Sequence, residues 1–376
     1  MAAFDAVVVG AGIIGASVAF RLAERGLRVL VLEKNPAPAM GSTGKSAAGV
    51  RVQFSEIANA RLSWQSIQEY RTFKERYGFD AGYRPIGYLF LIPAPSWPGW
   101  KDAMARVGAI GAPVELLDLE SAGGIVPFVA DGLGGASFGP ADGIIDPHAV
   151  TLAYLRLARE HGAVIALSEA FLAARRRDGV WRVETSRGRH EAPIVVNAAG
   201  AWAGKVARSA GFELPIEPVR RMVFLTAPAT KRAWPMVIDA GSGFYFRPEG
   251  PRLLFGRSNP DESPGFREGM DWAWLEPTLE AALFRFPWFE GYALDRKACW
   301  WGYYEETPDK NPILGSMPGQ EGWFNAAGFS GHGVQQAAAV GEAIASEVLT
   351  GHSPELDPFR YQRFLHGRTL GEGAIV

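Results

Sequence analysis

The first chemistry the sequence offers comes from three glycines and one acid. Gly10, Gly12 and Gly15 form a G-x-G-x-x-G pattern directly after the apolar run Val7, Val8, Val9, and Glu33 closes a second apolar run over 28–32. Gly10 permits a tight strand-to-helix turn, Gly12 has no side chain to obstruct a pyrophosphate, and Gly15 lets helix and strand approach closely. The helix that follows, over 13–25, presents free N–H groups and a partial positive charge at its start. Glu33 can accept hydrogen bonds from both ribose hydroxyls of an adenosine half. Ile13, Ile14 and Lys34 fall inside the same unit and are assigned to the same site. The alternative is a buried strand–helix turn that binds nothing. The register of strand, glycines, helix, second strand and acid favours a dinucleotide.

The rest of the chain supplies the elements that hold this unit. Residues 41–49 are small, polar and glycine-rich and read as a loop. Ala60, Trp64, Ile67 and Tyr70 recur at helical spacing, which predicts a helix over 55–77. Residues 87–93 read as a strand ended by proline. Asp146 followed by Pro147 marks a helix start, and Gly162 its stop beyond His161. Three short strands are expected over 164–175, 181–185 and 194–197, the last ending at Ala199, Gly200 and Trp202. Residues 216–300 lose the strand–helix rhythm and become strand- and turn-rich. A strand over 323–327, a glycine loop and a helix over 334–349 close the pattern. The expected fold is α/β: a discontinuous Rossmann-like dinucleotide domain over 1–82, 145–215 and 300–376, with an inserted sheet-rich α+β substrate domain over 83–144 and 216–299.

Composition narrows the function classes. At 376 residues the chain exceeds one simple core. A formal net charge of −2 gives no support for nucleic-acid binding. One cysteine, Cys299, excludes an internal disulfide framework and suits a reducing compartment. Six scattered histidines show no metal-ligand spacing. With no basic leader and no long uncharged apolar span, the expectation is a cytoplasmic protein without direct membrane insertion.

Taken together, these blocks resemble the D-amino-acid-oxidase superfamily of flavoproteins over nearly the whole chain. Within it the pattern is most similar to the sarcosine oxidase branch, notably the β subunits of L-proline dehydrogenases. The matching blocks are 10–15 with Glu33, 41–54, 87–91, 142–147, 301–315 and 326–333. The resemblance implies FAD rather than NAD, oxidation of a C–N bond in a small amino acid, and hydride transfer to flavin N5. Reduction places negative charge on the N1–C2=O edge of the isoalloxazine, which backbone N–H groups stabilise best. Gly328, Gly331, His332 and Gly333 lead into a helix whose first residues, Val334 and Gln335, sit at such a positive pole; the bland reading is a tight turn before a packed helix. Gly41, Ser42 and Thr43 are expected along the pyrophosphate and flavin, with Lys45 and Ser46 as neighbours, and Ala170 near the adenine. Arg51 occupies the place of the branch's carboxylate-binding arginine, against the alternative of an ordinary ion-pair residue. Tyr245 matches a pocket tyrosine of relatives, or packs as strand tyrosines usually do.

Three departures matter. Where relatives with covalent flavin carry a cysteine, this chain has Gly302, which implies non-covalent FAD. A substrate-binding lysine of the branch is Gln335 here. A lysine held near N5 in oxygen-using members aligns with Leu254, and a neighbouring histidine with Ser258. These losses shift the expectation from oxidase to dehydrogenase, with electrons passing to an acceptor protein, a quinone or additional subunits. The alternatives are a glycine- or sarcosine-type oxidase producing peroxide and a FAD-binding electron-transfer subunit.

Overall fold

The computed structural model describes residues 4–229 and 232–371. Strand Ala6–Val9, buried along its whole length, lies inside a six-stranded sheet. Val29–Leu32 and Ile194–Asn197 flank it in parallel, Val164–Ala166 and Trp323–Ala327 extend the parallel set, and Ile313–Ser316 closes one edge antiparallel. Parallel neighbours need crossovers, and helix Ile13–Glu24 is the first of them. It is buried nearly all round because helices Pro147–Glu160 and Gly333–Thr350 pack on it. Gly341 makes that contact possible, since a Cβ there would stand 2.0 Å from Ser17 Oγ.

Alternation along the strands builds two cores. Ala6 and Val8 face the helices, while Val7, Val9 and Leu30 face Ala174, Trp181 and Val183 of a three-stranded antiparallel layer. A second, eight-stranded sheet runs in the order Trp300–Glu306, Glu217–Leu225, Arg252–Gly256, Phe244–Glu249, Met236–Asp239, Tyr88–Pro93, Leu133–Gly139, Glu115–Leu117. Its phenylalanines, among them Phe224, Phe244, Phe246 and Phe255, pack with Phe286 and Phe289 into a separate core. Strand Trp300–Glu306, grouped above with the segment beginning at 300, pairs along Glu217–Leu225 in this second sheet. The two-residue pair Gly49–Val50 and Gly143–Ile144 sits beside it.

Several elements differ from their sequence-based reading. The helix expected over 55–77 is two, Ile57–Arg71 and Phe73–Tyr77, broken where the Thr72 hydroxyl turns back onto the Gln68 and Glu69 carbonyls. The strand expected over 164–175 is interrupted by Ser168 at φ 54° and becomes Val164–Ala166 and Phe171–Arg177. Strand Gly188–Ala192, made largely of polar residues, carries little apolar pattern. Helix Trp97–Ala109 has no counterpart in the sequence-based reading, and helix Leu275–Arg285 lies in a stretch read as strand- and turn-rich. A proline in the first turn of the former reads as a breaker although it suits a helix start. Among the described residues, no helix is long and apolar enough to cross a membrane, and no acid, histidine and cysteine cluster could hold a metal.

Candidate active site

A groove of about 440 Å³ opens over the carboxyl ends of Ala6–Val9 and Val29–Leu32, the edge where open α/β sheets bind ligands. Gly10, Gly12, Ile13 and Ile14 line its floor. Gly10 has φ +108°, and a Cβ there would lie 2.5 Å from the Ala198 carbonyl oxygen. Gly15 does not reach the groove: its added Cβ would fall 2.0 Å from Gly10 O, so its work is the close approach of helix to turn. At Gly12 a Cβ would meet Thr43 Oγ1 at 3.0 Å, and that hydroxyl accepts from Ile13 N at 3.1 Å. Glu33 is buried, accepting from Ala11 N at 3.0 Å and from Asn35 N at 2.8 Å, which fixes its carboxylate at the groove wall. Gly41, Ser42 and Thr43 form one side; Ala170, Ala199, Gly200 and Trp202 form the other. Lys34 Nζ stands 3.2 Å from the centre of the Trp202 ring, and burial lowers its pKa below the ordinary lysine value. Bare backbone, an uncapped helix start and the cations Lys34 and Lys205 fit a diphosphate dinucleotide such as FAD.

A second cavity, about 160 Å³, shares Ile13, Ile14, Ser42, Thr43 and Glu305 with the groove and continues it toward the eight-stranded sheet. It brings together Lys45, Ser46, Arg51, Tyr245, Gly331, His332, Gly333, Val334 and Gln335. Gly328 stays outside: its N–H is bound to the Glu305 carboxylate at 3.1 Å, and a Cβ would strike Thr307. Arg51 is 3% exposed, with its guanidinium 3.9 Å from the Phe54 ring centre and bonded to the Gln53 carbonyl. Its backbone N–H is held by Gln335 Oε1 at 3.0 Å. Asp142 fixes the next two residues, accepting from Val52 N at 2.7 Å and from Gln53 Nε2 at 2.8 Å. The arginine is therefore positioned from both sides.

Besides Tyr303, three tyrosines also line this cavity: Tyr88, which is buried, and Tyr245 and Tyr304, which are half-buried. Their tips lie where a Cβ on Gly49, Gly256 or Gly331 would stand 1.8, 2.6 or 2.8 Å from the hydroxyl oxygen. Burial pushes all three phenols up, so each keeps its proton near neutral pH and can donate. His332 is pushed down to about 3 by burial, reinforced by Arg51, and is neutral; it packs edge-on against Phe54. Glu305, at the junction of groove and cavity, is pushed up to about 7 by burial.

Sequence reasoning missed Tyr88, Arg221, Tyr304 and Glu305. Arg221 follows Arg220 and precedes the apolar run 222–225, with nothing in its spacing to mark a site. Leu254, expected beside the reacting end, is instead fully buried against Val223 and Leu225, and Val223 is the residue that faces the cavity. Cys299 is also away from the cavity, its thiol hydrogen-bonded to the Asp295 carbonyl. Gly302 does line it, and a Cβ there would lie 3.1 Å from the Lys45 Cβ.

The family model described as FAD dependent oxidoreductase (DAO) matches residues 5–347. FAD-dependent oxidoreductase domain-containing protein 1 of Bos taurus is 32% identical, covering 99% of this chain and 87% of that protein. Mitochondrial dimethylglycine dehydrogenase of Homo sapiens is 30% identical over 96% of this chain, which spans only 44% of that enzyme. The crystal structure of L-proline dehydrogenase from P. horikoshii superposes with a TM-score of 0.90 at 31% identity, covering 98% of this chain and 99% of that one. The chain belongs to the family of FAD-dependent oxidoreductases.

Proposed function

We propose that this FAD-dependent oxidoreductase oxidises the C–N bond of a small secondary or related amino acid, of the proline and sarcosine kind, and passes the electrons to an acceptor other than oxygen. The observation that carries this reading is Arg51: a buried, doubly positioned guanidinium on the wall of a cavity continuous with the dinucleotide groove. The full-length likeness to L-proline dehydrogenase supports the substrate class. We assign cofactor binding to segments 1–82, 145–215 and 300–376, and the substrate side to 83–144 and 216–299. A reducing compartment such as the cytoplasm suits the lone Cys299.

FAD, when bound, would supply a two-electron acceptor. Arg51 holds the amino-acid carboxylate, because a planar fork matches two carboxylate oxygens. The protonated hydroxyls of Tyr88, Tyr245 and Tyr304 add donors around it, while Val223, Met236 and Ile238 keep water from the reacting carbon. No protein base is assigned: an amine entering neutral needs none, and His332 is held neutral by burial beside Arg51. The bare helix start at Gly333 lines the cavity, and its N–H groups would stabilise the charge that a reduced flavin gains. Gln335 stands where the sarcosine oxidase branch keeps a substrate-binding lysine, which supports a dehydrogenase.

The test is anaerobic bleaching of the flavin by a panel of N-substituted and cyclic amino acids, followed by exposure to air or to an artificial acceptor. Bleaching by these amines with slow reoxidation in air is expected. A flavin that no amine reduces sinks the reading, and rapid turnover on oxygen with stoichiometric peroxide replaces the dehydrogenase by an oxidase.

A further inference from the structure

Arg221 has no part in the function proposed so far, yet it lines the same cavity as Arg51. It sits inside strand Glu217–Leu225, opposite Gly302 of the neighbouring strand. Taking a guanidinium out of water is expensive unless its donors and charge are matched. Here the match is incomplete. Nη1 donates to the Arg220 carbonyl at 3.0 Å and Nη2 bonds Glu306, while Nε is buried with no partner among the described residues. Glu306 is itself shared, because Lys310 also pairs with it. Arg221 therefore shares its carboxylate with Lys310, while the neighbouring Glu262 pairs with Arg220.

Arg221 also borders the substrate space. The Arg221 guanidinium carbon is 5.3 Å from the centre of the Tyr304 ring, and the Tyr304 phenol feels both Arg221 and Arg51. The two arginines therefore approach one ring from different elements, Arg51 from the loop after Gly49–Val50 and Arg221 from the eight-stranded sheet. Around the cavity wall, Lys45, Arg51 and Arg221 face a single acid, Glu305, with His332 neutral. A substrate with one carboxylate would engage Arg51 and leave the second guanidinium only partly matched, with its Nε unpartnered among the described residues.

We infer that the preferred substrate is a small amino acid carrying a second carboxylate, and that Arg221 receives that group while Arg51 holds the first. The inference rests on the reading above that this cavity is the amine site. It makes Arg221 a specificity-determining residue, acting through charge-assisted hydrogen bonds that a carboxylate accepts.

The experiment compares N-(carboxymethyl)glycine with N-propylglycine, which has similar length and one carboxylate fewer, as reductants of the flavin in the FAD-loaded protein. The wild type should favour the dianion by about tenfold or more in the rate constant over apparent dissociation constant, the scale expected for a matched buried charge. In Arg221→Met that ratio should fall by about 100-fold, and in Arg221→Lys it should be partly restored, since a point charge replaces the fork. Should Arg221→Met fail to fold, the lysine variant and the wild-type ratio still decide. A wild type indifferent to the second carboxylate, or an Arg221→Met ratio equal to the wild-type one, overturns the inference while the amine-oxidising reading stands. Failure of every amine to reduce the flavin removes that reading instead.

Discussion

The dinucleotide groove and the adjoining cavity are built from different materials. The groove is made of main chain: glycines 10, 12, 41 and 200, the alanines 170 and 199, and one acid tied to backbone N–H groups. The cavity is made of side chains, two arginines and four tyrosines among them, contributed by the eight-stranded sheet and the loops facing it. A groove of that kind recognises what every dinucleotide shares, whereas a wall of that kind distinguishes one small molecule from another. Single substitutions should therefore act differently in the two places: in the groove through space, in the cavity through charge and hydrogen bonds.

The largest effect belongs to the groove. Gly12→Val should give folded protein without FAD, because even its Cβ sits 3.0 Å from Thr43 Oγ1 and the branched methyls reach into the pyrophosphate space. Gly10→Ala should instead lower stability itself, since the added carbon meets backbone at 2.5 Å and φ is +108°. Absorbance at the flavin bands and thermal melts separate the two outcomes. Normal flavin content in Gly12→Val would mean the groove holds something else.

Next in size is the cavity's Arg51. Arg51→Ala should retain FAD yet lose about 2–3 kcal/mol of substrate recognition, on the order of 100-fold in kcat/KM, as a charge-assisted pair does when one partner is removed. Arg51→Lys should recover only part, because an ammonium cannot reproduce the fork. Reductive kinetics indistinguishable from wild type in Arg51→Ala would take it out of the site.

The same division explains what could be read from the sequence. The parallel sheet and its groove follow from local signals, since turn glycines, apolar strand and terminal acid lie within 10–33. Arg51 was reachable because it follows the glycine loop and matches a family position. Arg221, Tyr88 and Tyr304 were not, because strand pairing between residues far apart in sequence is what aims them at one space. Leu254 shows the converse error: alignment put it at the reacting end, but side-chain alternation on strand Arg252–Gly256 turns it into a core with Val223 and Leu225.

A smaller effect tests the seam between the regions. Glu305 belongs to both, and burial raises its pKa from 4.5 to about 7. For an acid whose folded value is raised, stability relative to a neutral analogue is full below about 4.5 and is lost as pH rises through about 7. Glu305→Gln removes that titration and keeps an acceptor for the Gly328 N–H. Between pH 5 and 8 the melting temperature of the wild type should fall relative to that of the variant. A difference that stays flat across this range would show that Glu305 does not change charge there.

The smallest effect concerns a contact by which the second sheet's side closes over the first. Phe266 is 43% exposed, yet it stacks on Trp202 of the groove wall with ring centres 5.1 Å apart and meets Tyr303 edge-on at 5.4 Å. Its loop is pinned, because Tyr303 donates to the Arg267 carbonyl at 2.8 Å and Arg220 donates to the Gly269 carbonyl at 3.0 Å. An aromatic pair of this kind contributes about 0.5–1.5 kcal/mol beyond the area it covers. Phe266→Ala should therefore speed FAD release by roughly two- to tenfold, one kcal/mol being about fivefold. Flavin fluorescence recovered after dilution measures that rate, and a melt of the flavin-free protein controls for general loosening. An unchanged release rate would mean that the groove holds FAD without help from the second sheet's side. Faster release with an unchanged apoprotein melt would identify the loop as a retaining strap.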